Sequence, residues 1–100
     1  MKIYVDIDNT ICTTPCLDGE NIYSLSMPIE ENIKKINKLH DEGNYIVYWT
    51  ARGATSGVDY TFLTLKQLKQ WGAKYDKLDI GNKPRFDLLI DDKAINIDAI

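Results

Sequence analysis

The sequence predicts an α/β chain built on a doubly wound, open parallel sheet. Three observations carry that prediction. Short apolar, β-prone runs recur at residues 2–8, 44–50, 77–80 and 86–90. Stretches of helical period separate the first three, so strands and helices alternate as in βαβ units with right-handed crossovers. Three of the runs end on side chains that can chelate or donate: Asp6/Asp8, Thr50 and Asp91/Asp92. In open α/β sheets the ligand site lies beyond the carboxyl ends of the strands.

Lys2 to Asp8 reads K-I-Y-V-D-I-D, rich in β-branched and aromatic residues and closing on acids. Residues 11–27 are polar, with Pro15 and an Asp18-Gly19 pair that predicts a hairpin flap. Ser26 as a cap and Pro28 in the first turn predict a helix start, and Glu30 and Glu31 suit the positive helix end. Ile29, Ile33, Ile36 and Leu39 follow at helical spacing, and Gly43 marks the stop.

Asn44 to Thr50 is almost continuously apolar, as a strand buried on both faces should be. Arg52 to Gly57 is turn chemistry. A second helix is expected from about Val58 to Trp71, with Phe62, Leu65 and Leu68 on one side and Gly72 after it. Lys77 to Ile80 predicts a short strand, and Phe86 to Ile90 a fourth that delivers Asp91 and Asp92 to the edge shared with Asp6. The last eight residues are apolar enough to pack.

At 100 residues the chain makes one domain, residues 1–100, with 44% hydrophobic and 27% charged residues. No apolar run reaches the ~18–20 residues of a membrane helix. The N-terminus carries acids where a secretory signal needs an apolar stretch, so the cytoplasm is the expected compartment. The net charge of −3 argues against nucleic acid as a partner. Cys12 and Cys16, spaced C-x-x-x-C with no second pair, fit two reduced thiols and not a zinc site.

The acids carry the chemistry. Asp6 and Asp8 stand two apart, on one face of a strand and at its end. Unpaired buried acids are costly, and four acids at one edge repel unless a cation joins them. Hard oxygen ligands of this kind suit Mg²⁺, which keeps waters and leaves room for a phosphate. Thr50, Ala51, Arg52 and Lys83 at the same edge offer hydroxyl, backbone N–H, guanidinium and ammonium, a set that suits a phosphoryl group.

D-I-D-N-T at residues 6–10, the strand ending W-T, Lys83 and I-D-D at residues 90–92 together resemble, in order and over nearly the whole chain, motifs one to four of the haloacid dehalogenase-like (HAD) phosphohydrolases. Y-W-T-A-R-G, Y-D-K-L and I-D-D-K-A-I-N resemble a group of short members linked to capsule or surface-polysaccharide biosynthesis. The resemblance implies a minimal Rossmann-like, HAD-like sheet of strand order 3-2-1-4 without a cap domain. Neither the loop at residues 11–27 nor the short link before residue 77 has room for one.

It further implies that Asp6 is the nucleophile forming an aspartyl-phosphate, that Asp8 is the general acid and then base, and that Thr50 and Lys83 hold the phosphoryl group. Asp6, the Asp8 backbone carbonyl, Asp91 and Asp92 would hold Mg²⁺. Asn9 stands where many relatives have glycine, which the turn tolerates.

The expected activity is Mg²⁺-dependent hydrolysis of a small phosphorylated metabolite, such as a sugar phosphate. Two alternatives stand beside it: a phosphatase of nucleotides or nucleic-acid ends, and a phosphate- or Mg²⁺-binding module with little turnover. The chain ends eight residues past Asp92, where relatives usually continue with another helix and strand. A missing layer exposes apolar surface that a homodimer would cover. His40, Trp49, Trp71 and the Lys34/Lys35/Lys38 face read as structural or solvated groups.

Overall fold

The computed structural model describes residues 1–100. The chain opens with β1 (Lys2–Asp6), then traces four short strands: β2 (Cys12–Thr13), β3 (Cys16–Leu17), β4 (Glu20–Asn21) and β5 (Met27–Pro28). Next come α1 (Glu30–Asp41), β6 (Tyr45–Thr50), α2 (Thr61–Gln70) and β7 (Lys77–Ile80). β1, β6 and β7 form a parallel sheet in the order β1-β6-β7, with Asp6 level with Trp49 and Thr50 level with Ile80. The remaining pairs, β2 with β5 and β3 with β4, are antiparallel ribbons.

The Asp18-Gly19 hairpin forms as the sequence predicts. Both residues have positive φ, 52° and 79°, as the tight turn between β3 and β4 requires.

The doubly wound sheet of order 3-2-1-4 does not form. The sheet has three strands, and both crossovers step in the same direction across it. Right-handed crossovers that step the same way leave both helices on one face. Accordingly, Ile33 and Ile36 of α1 and Leu68 of α2 pack in one core with Val5, Ile46 and Tyr48. Burying each of these large apolar side chains contributes about 1.5–3 kcal/mol. The opposite face carries Lys2, Tyr4, Asp6, Tyr45 and Trp49; only Val47, in the central strand, is fully buried there.

A second winding needs a strand on the free side of β1, and Phe86–Ile90 does not supply it. The only regular element after Ile80 is one turn of 3-10 helix at Ile97–Ala99. The reason is where the segment enters. Phe86 and Asp87 already line the cavity at the carboxyl ends of the strands. A strand parallel to β1 would have to start from the other end. The tail packs only through Ile97, whose carbonyl accepts from Lys35 Nζ at 3.3 Å.

Two helix details also differ from the sequence reading. α1 starts at Glu30 behind Ile29, because Met27 and Pro28 pair with β2 and Ser26 turns inward. In α2, Phe62 and Leu65 face solvent, and the inward side carries Thr64, Gln67 and Leu68. The cause is a buried guanidinium beneath that helix.

Candidate active site

Asp6 closes β1 on the open face of the sheet, and its carboxylate meets Lys83. Lys83 Nζ donates to Asp6 Oδ1 at 2.7 Å, and Thr10 Oγ1 donates to Oδ2 at 3.3 Å. The ammonium lies between two rings, 5.2 Å from the Trp49 centroid and 5.4 Å from that of Phe86. Such cation–π contacts help hold a desolvated cation in place. The Lys83 side chain is 10% exposed and that of Asp6 40%, so the acid is the reachable partner.

Asp8 is held differently. Asn9, at φ 65°, turns the chain after it. The Asp8 carboxylate accepts from Arg52 at both oxygens: Nη2 at 2.8 Å from Oδ1 and Nε at 3.0 Å from Oδ2. Thr14 Oγ1 donates to Oδ1 at 2.6 Å. Arg52 is 1% exposed and fully engaged. Its Nη1 reaches Gln67 Oε1 at 2.6 Å and Thr64 Oγ1 at 3.1 Å, and its Nη2 reaches Ser26 Oγ at 3.3 Å. The Tyr23 ring centroid is 4.9 Å from the guanidinium carbon. Gln67 Nε2 in turn donates to the Tyr23 carbonyl at 2.7 Å. A buried, forked cation needs this many acceptors, and they come from the flap and α2 together.

Thr50 ends β6 buried, and its Oγ1 accepts from the Arg52 backbone N–H at 3.2 Å, which leaves the hydroxyl hydrogen to donate. The turn that follows depends on Gly53. Its φ is +80°, and a Cβ there would overlap the Val58 carbonyl oxygen. From the flap, Tyr23 reaches the site and its hydroxyl accepts from Arg85 Nη2 at 2.9 Å. Cys12 is buried beneath; burial, and then the nearby Asp8 charge, push its thiol pKa up, so it is no ready nucleophile. Cys16 and Glu20 lie exposed on the hairpin.

These groups surround one cavity of about 460 Å³. It brings together Asp6, Asp8, Thr50, Ala51, Arg52 and Lys83, all six of them marked by the sequence. It adds Tyr23, which the sequence places on the flap, and Asn21, Arg85 and Asp87, which sequence reasoning missed. Asp91 and Asp92 are not part of it. Both are exposed, and Asp91 accepts from the Lys93 N–H at 3.3 Å. A hydrogen bond from Asp92, with the Lys93 amide, lowers the Asp91 pKa.

The expected four-acid cluster is therefore reduced to a pair. Asp6 is bound to Lys83 and Asp8 to Arg52, and no group of three ligating side chains converges anywhere in the chain. The expected Mg²⁺ ligand set does not assemble: Asp6 is paired with Lys83, and Asp91 and Asp92 stand outside the cavity.

No protein-family model and no curated protein matches the chain. Among solved structures, a crystal structure of a target protein from Vibrio cholerae is similar, with a TM-score of 0.82 and 23% sequence identity, over 98% of this chain and 85% of that one. At that identity the likeness concerns the fold alone. No helix of the chain is long and apolar enough to cross a membrane.

Proposed function

We propose that the chain is a phosphomonoester hydrolase in which the Asp6 carboxylate is the nucleophile. The observation that carries this reading is the 2.7 Å pair between Asp6 and Lys83 on an open cavity that Arg85 also lines. A phosphate monoester entering there meets two cations, the Thr50 hydroxyl and the carboxylates of Asp6 and Asp87. Lys83 neutralises charge on the phosphoryl oxygens and on Asp6 together, which lets two anions approach. Attack by an Asp6 oxygen forms an O–P bond while the bond to the leaving oxygen breaks, and that oxygen takes up a proton from water in the open cavity. Water then attacks phosphorus and frees Asp6. The cavity admits a small phosphorylated metabolite, and its open mouth also admits a nucleotide or nucleic-acid end. The two unpaired thiols suit a reducing cytoplasm.

A second reading draws on Asp8. Both of its oxygens accept from Arg52, so it serves proton transfer only by leaving that contact. If it never leaves, the chain binds phosphate without turnover.

Release of nitrophenol from p-nitrophenyl phosphate separates the readings, run with and without added Mg²⁺. Turnover that falls about 10³-fold or more in Asp6→Asn supports the hydrolase. Saturable binding of inorganic phosphate, with no product in either protein, supports the binding module and overturns the hydrolase.

A further inference from the structure

We infer that Arg85 selects the substrate by its leaving group: the guanidinium takes a second anion, a carboxylate or a further phosphate, on the part of the molecule that departs. This rests on the reading that Asp6 and Lys83 receive the phosphoryl group. Three cations line the cavity, and they are not equally available. Arg52 is buried and spends its donors on Asp8, Ser26, Thr64 and Gln67. Lys83 is paired with Asp6. Arg85 is exposed and belongs to no ion pair. Its side chain makes one hydrogen bond, from Nη2 to the Tyr23 hydroxyl at 2.9 Å, which leaves Nε and Nη1 open to a ligand.

That one bond positions the fork. Tyr23 is 7% exposed, and its hydroxyl also accepts from Asn21 Nδ2 at 3.4 Å. Its ring lies against the Arg52 guanidinium and edge-on to Tyr60, with centroids 4.9 Å apart. A buried ring packed on two sides is a fixed anchor, so the flap holds Arg85 at the cavity although the residue itself lies on a loop. A guanidinium held by one N–H, with its other donors open, is ready for an oxyanion. Its planar fork pairs with carboxylate and phosphate alike.

Position decides which part of the substrate Arg85 meets. Asp6, Thr50 and Lys83 take the phosphoryl group at the strand ends. In-line displacement sends the leaving oxygen away from the attacking Asp6 oxygen. The wall left for the leaving group is built by Asn21 and Tyr23 of the flap and by Pro84, Arg85, Phe86 and Asp87. Arg85 is the cation of that wall and Asp87 its acid. Asp87 can accept from a hydroxyl or an ammonium but repels an anion, so a second anion belongs at Arg85. At about 460 Å³ the cavity has the volume of a small-molecule pocket, with room for both ends of such a substrate.

The test uses the full chain and two pairs of probes. 3-Phosphoglycerate differs from glycerol 3-phosphate by a carboxylate in place of a hydroxymethyl group. Fructose 1,6-bisphosphate differs from fructose 6-phosphate by a second phosphate. Calorimetry on Asp6→Asn, which stops turnover, gives the affinities, and kcat/KM is measured on the wild-type chain. In at least one pair the probe with the second anion is expected to bind about 10–100-fold tighter, the worth of a hydrogen bond between charged groups. The pair that shows it tells carboxylate from phosphate. Adding Arg85→Gln is expected to bring that ratio near one. Tyr23→Phe, which keeps the ring and releases the fork, is expected to lower it. Circular dichroism checks that each variant folds. Ratios near one in both pairs with Arg85 intact overturn the inference. So does an Arg85→Gln change that weakens both members of a pair equally, because Arg85 then touches the transferring phosphoryl group. A binding preference without turnover of any probe upholds Arg85 and sinks the hydrolase, while turnover without preference does the reverse.

Discussion

Asp6 and Asp8 stand two residues apart and each holds a basic side chain, but their surroundings differ. The Asp6–Lys83 pair faces the cavity, with its carboxylate 40% exposed. The Asp8–Arg52 pair is closed in: the guanidinium is fully buried and the carboxylate 18% exposed. Lysine, a point charge on a flexible stem, can move toward an incoming phosphate. Arginine, forked and locked by Thr64, Gln67 and Ser26, cannot leave without orphaning several partners. The comparison teaches that the same charge pairing, placed twice in one cavity, divides into a reachable pair, the one the proposed hydrolysis would use, and a structural one.

The division breaks most sharply at Arg52. Arg52→Ala strands a partly buried carboxylate and removes the donor to Thr64 and Gln67. It is expected to cost about 3–5 kcal/mol in urea unfolding. Arg52→Lys should recover little of that, since an ammonium cannot reproduce the fork. A loss under about 1 kcal/mol would erase the distinction between the pairs.

Lys83→Ala should show the opposite profile. Its stability loss should stay below that of Arg52→Ala, because the carboxylate left behind, Asp6, is 40% exposed and keeps its access to water, while turnover of p-nitrophenyl phosphate falls about 10²–10³-fold. Equal effects on folding and turnover would place Lys83 with the structural group.

Gln67→Leu sharpens the comparison further. Losing a hydrogen bond to a charged group should cost about 1.5–3 kcal/mol, with most of the phosphate affinity kept in an equilibrium titration. Phe62→Lys, on the neighbouring exposed side of α2, should change stability by no more than about 0.5 kcal/mol.

The smallest effect concerns the thiols near the two pairs. Cys16 on the exposed hairpin should react promptly with a chromogenic disulfide reagent. Cys12, buried against Asp8 with its thiol pKa raised, should react only after denaturant is added. Prompt labelling of both would mean that the flap opens over Asp8.

Much of the site was legible in the residues. Asp6, Asp8, Thr50, Ala51, Arg52 and Lys83 share one cavity because strand ends and the loops after them converge at a sheet edge, and apolar runs mark those ends. The role of Arg52 was not legible. Nothing around it in the chain says that its acceptors sit at positions 8, 26, 64 and 67, or that the ring beside it is Tyr23. The apolar residues of α2 misled for the same reason: Phe62 and Leu65 outrank Thr64 and Gln67 in hydrophobicity, but a buried guanidinium needs oxygen acceptors more than it needs carbon. Thr64, Leu68 and Trp71 do share a helical face, and that spacing was the available signal. The fourth strand failed because F-D-L-L-I states a preference for pairing without saying from which end the chain arrives.

The sequence by itself determined the alternation of strands and helices, the hairpin at Asp18-Gly19 and the acids that end β1. These follow from local propensity and period, which neighbouring residues set. Only the tertiary structure decided that both helices share one face, that Asp91 and Asp92 stay outside, and that Arg52 is a buried tie between flap and helix. Those outcomes depend on crossover direction, on the point where a segment enters, and on acceptors brought together from distant positions, none of which a local pattern encodes.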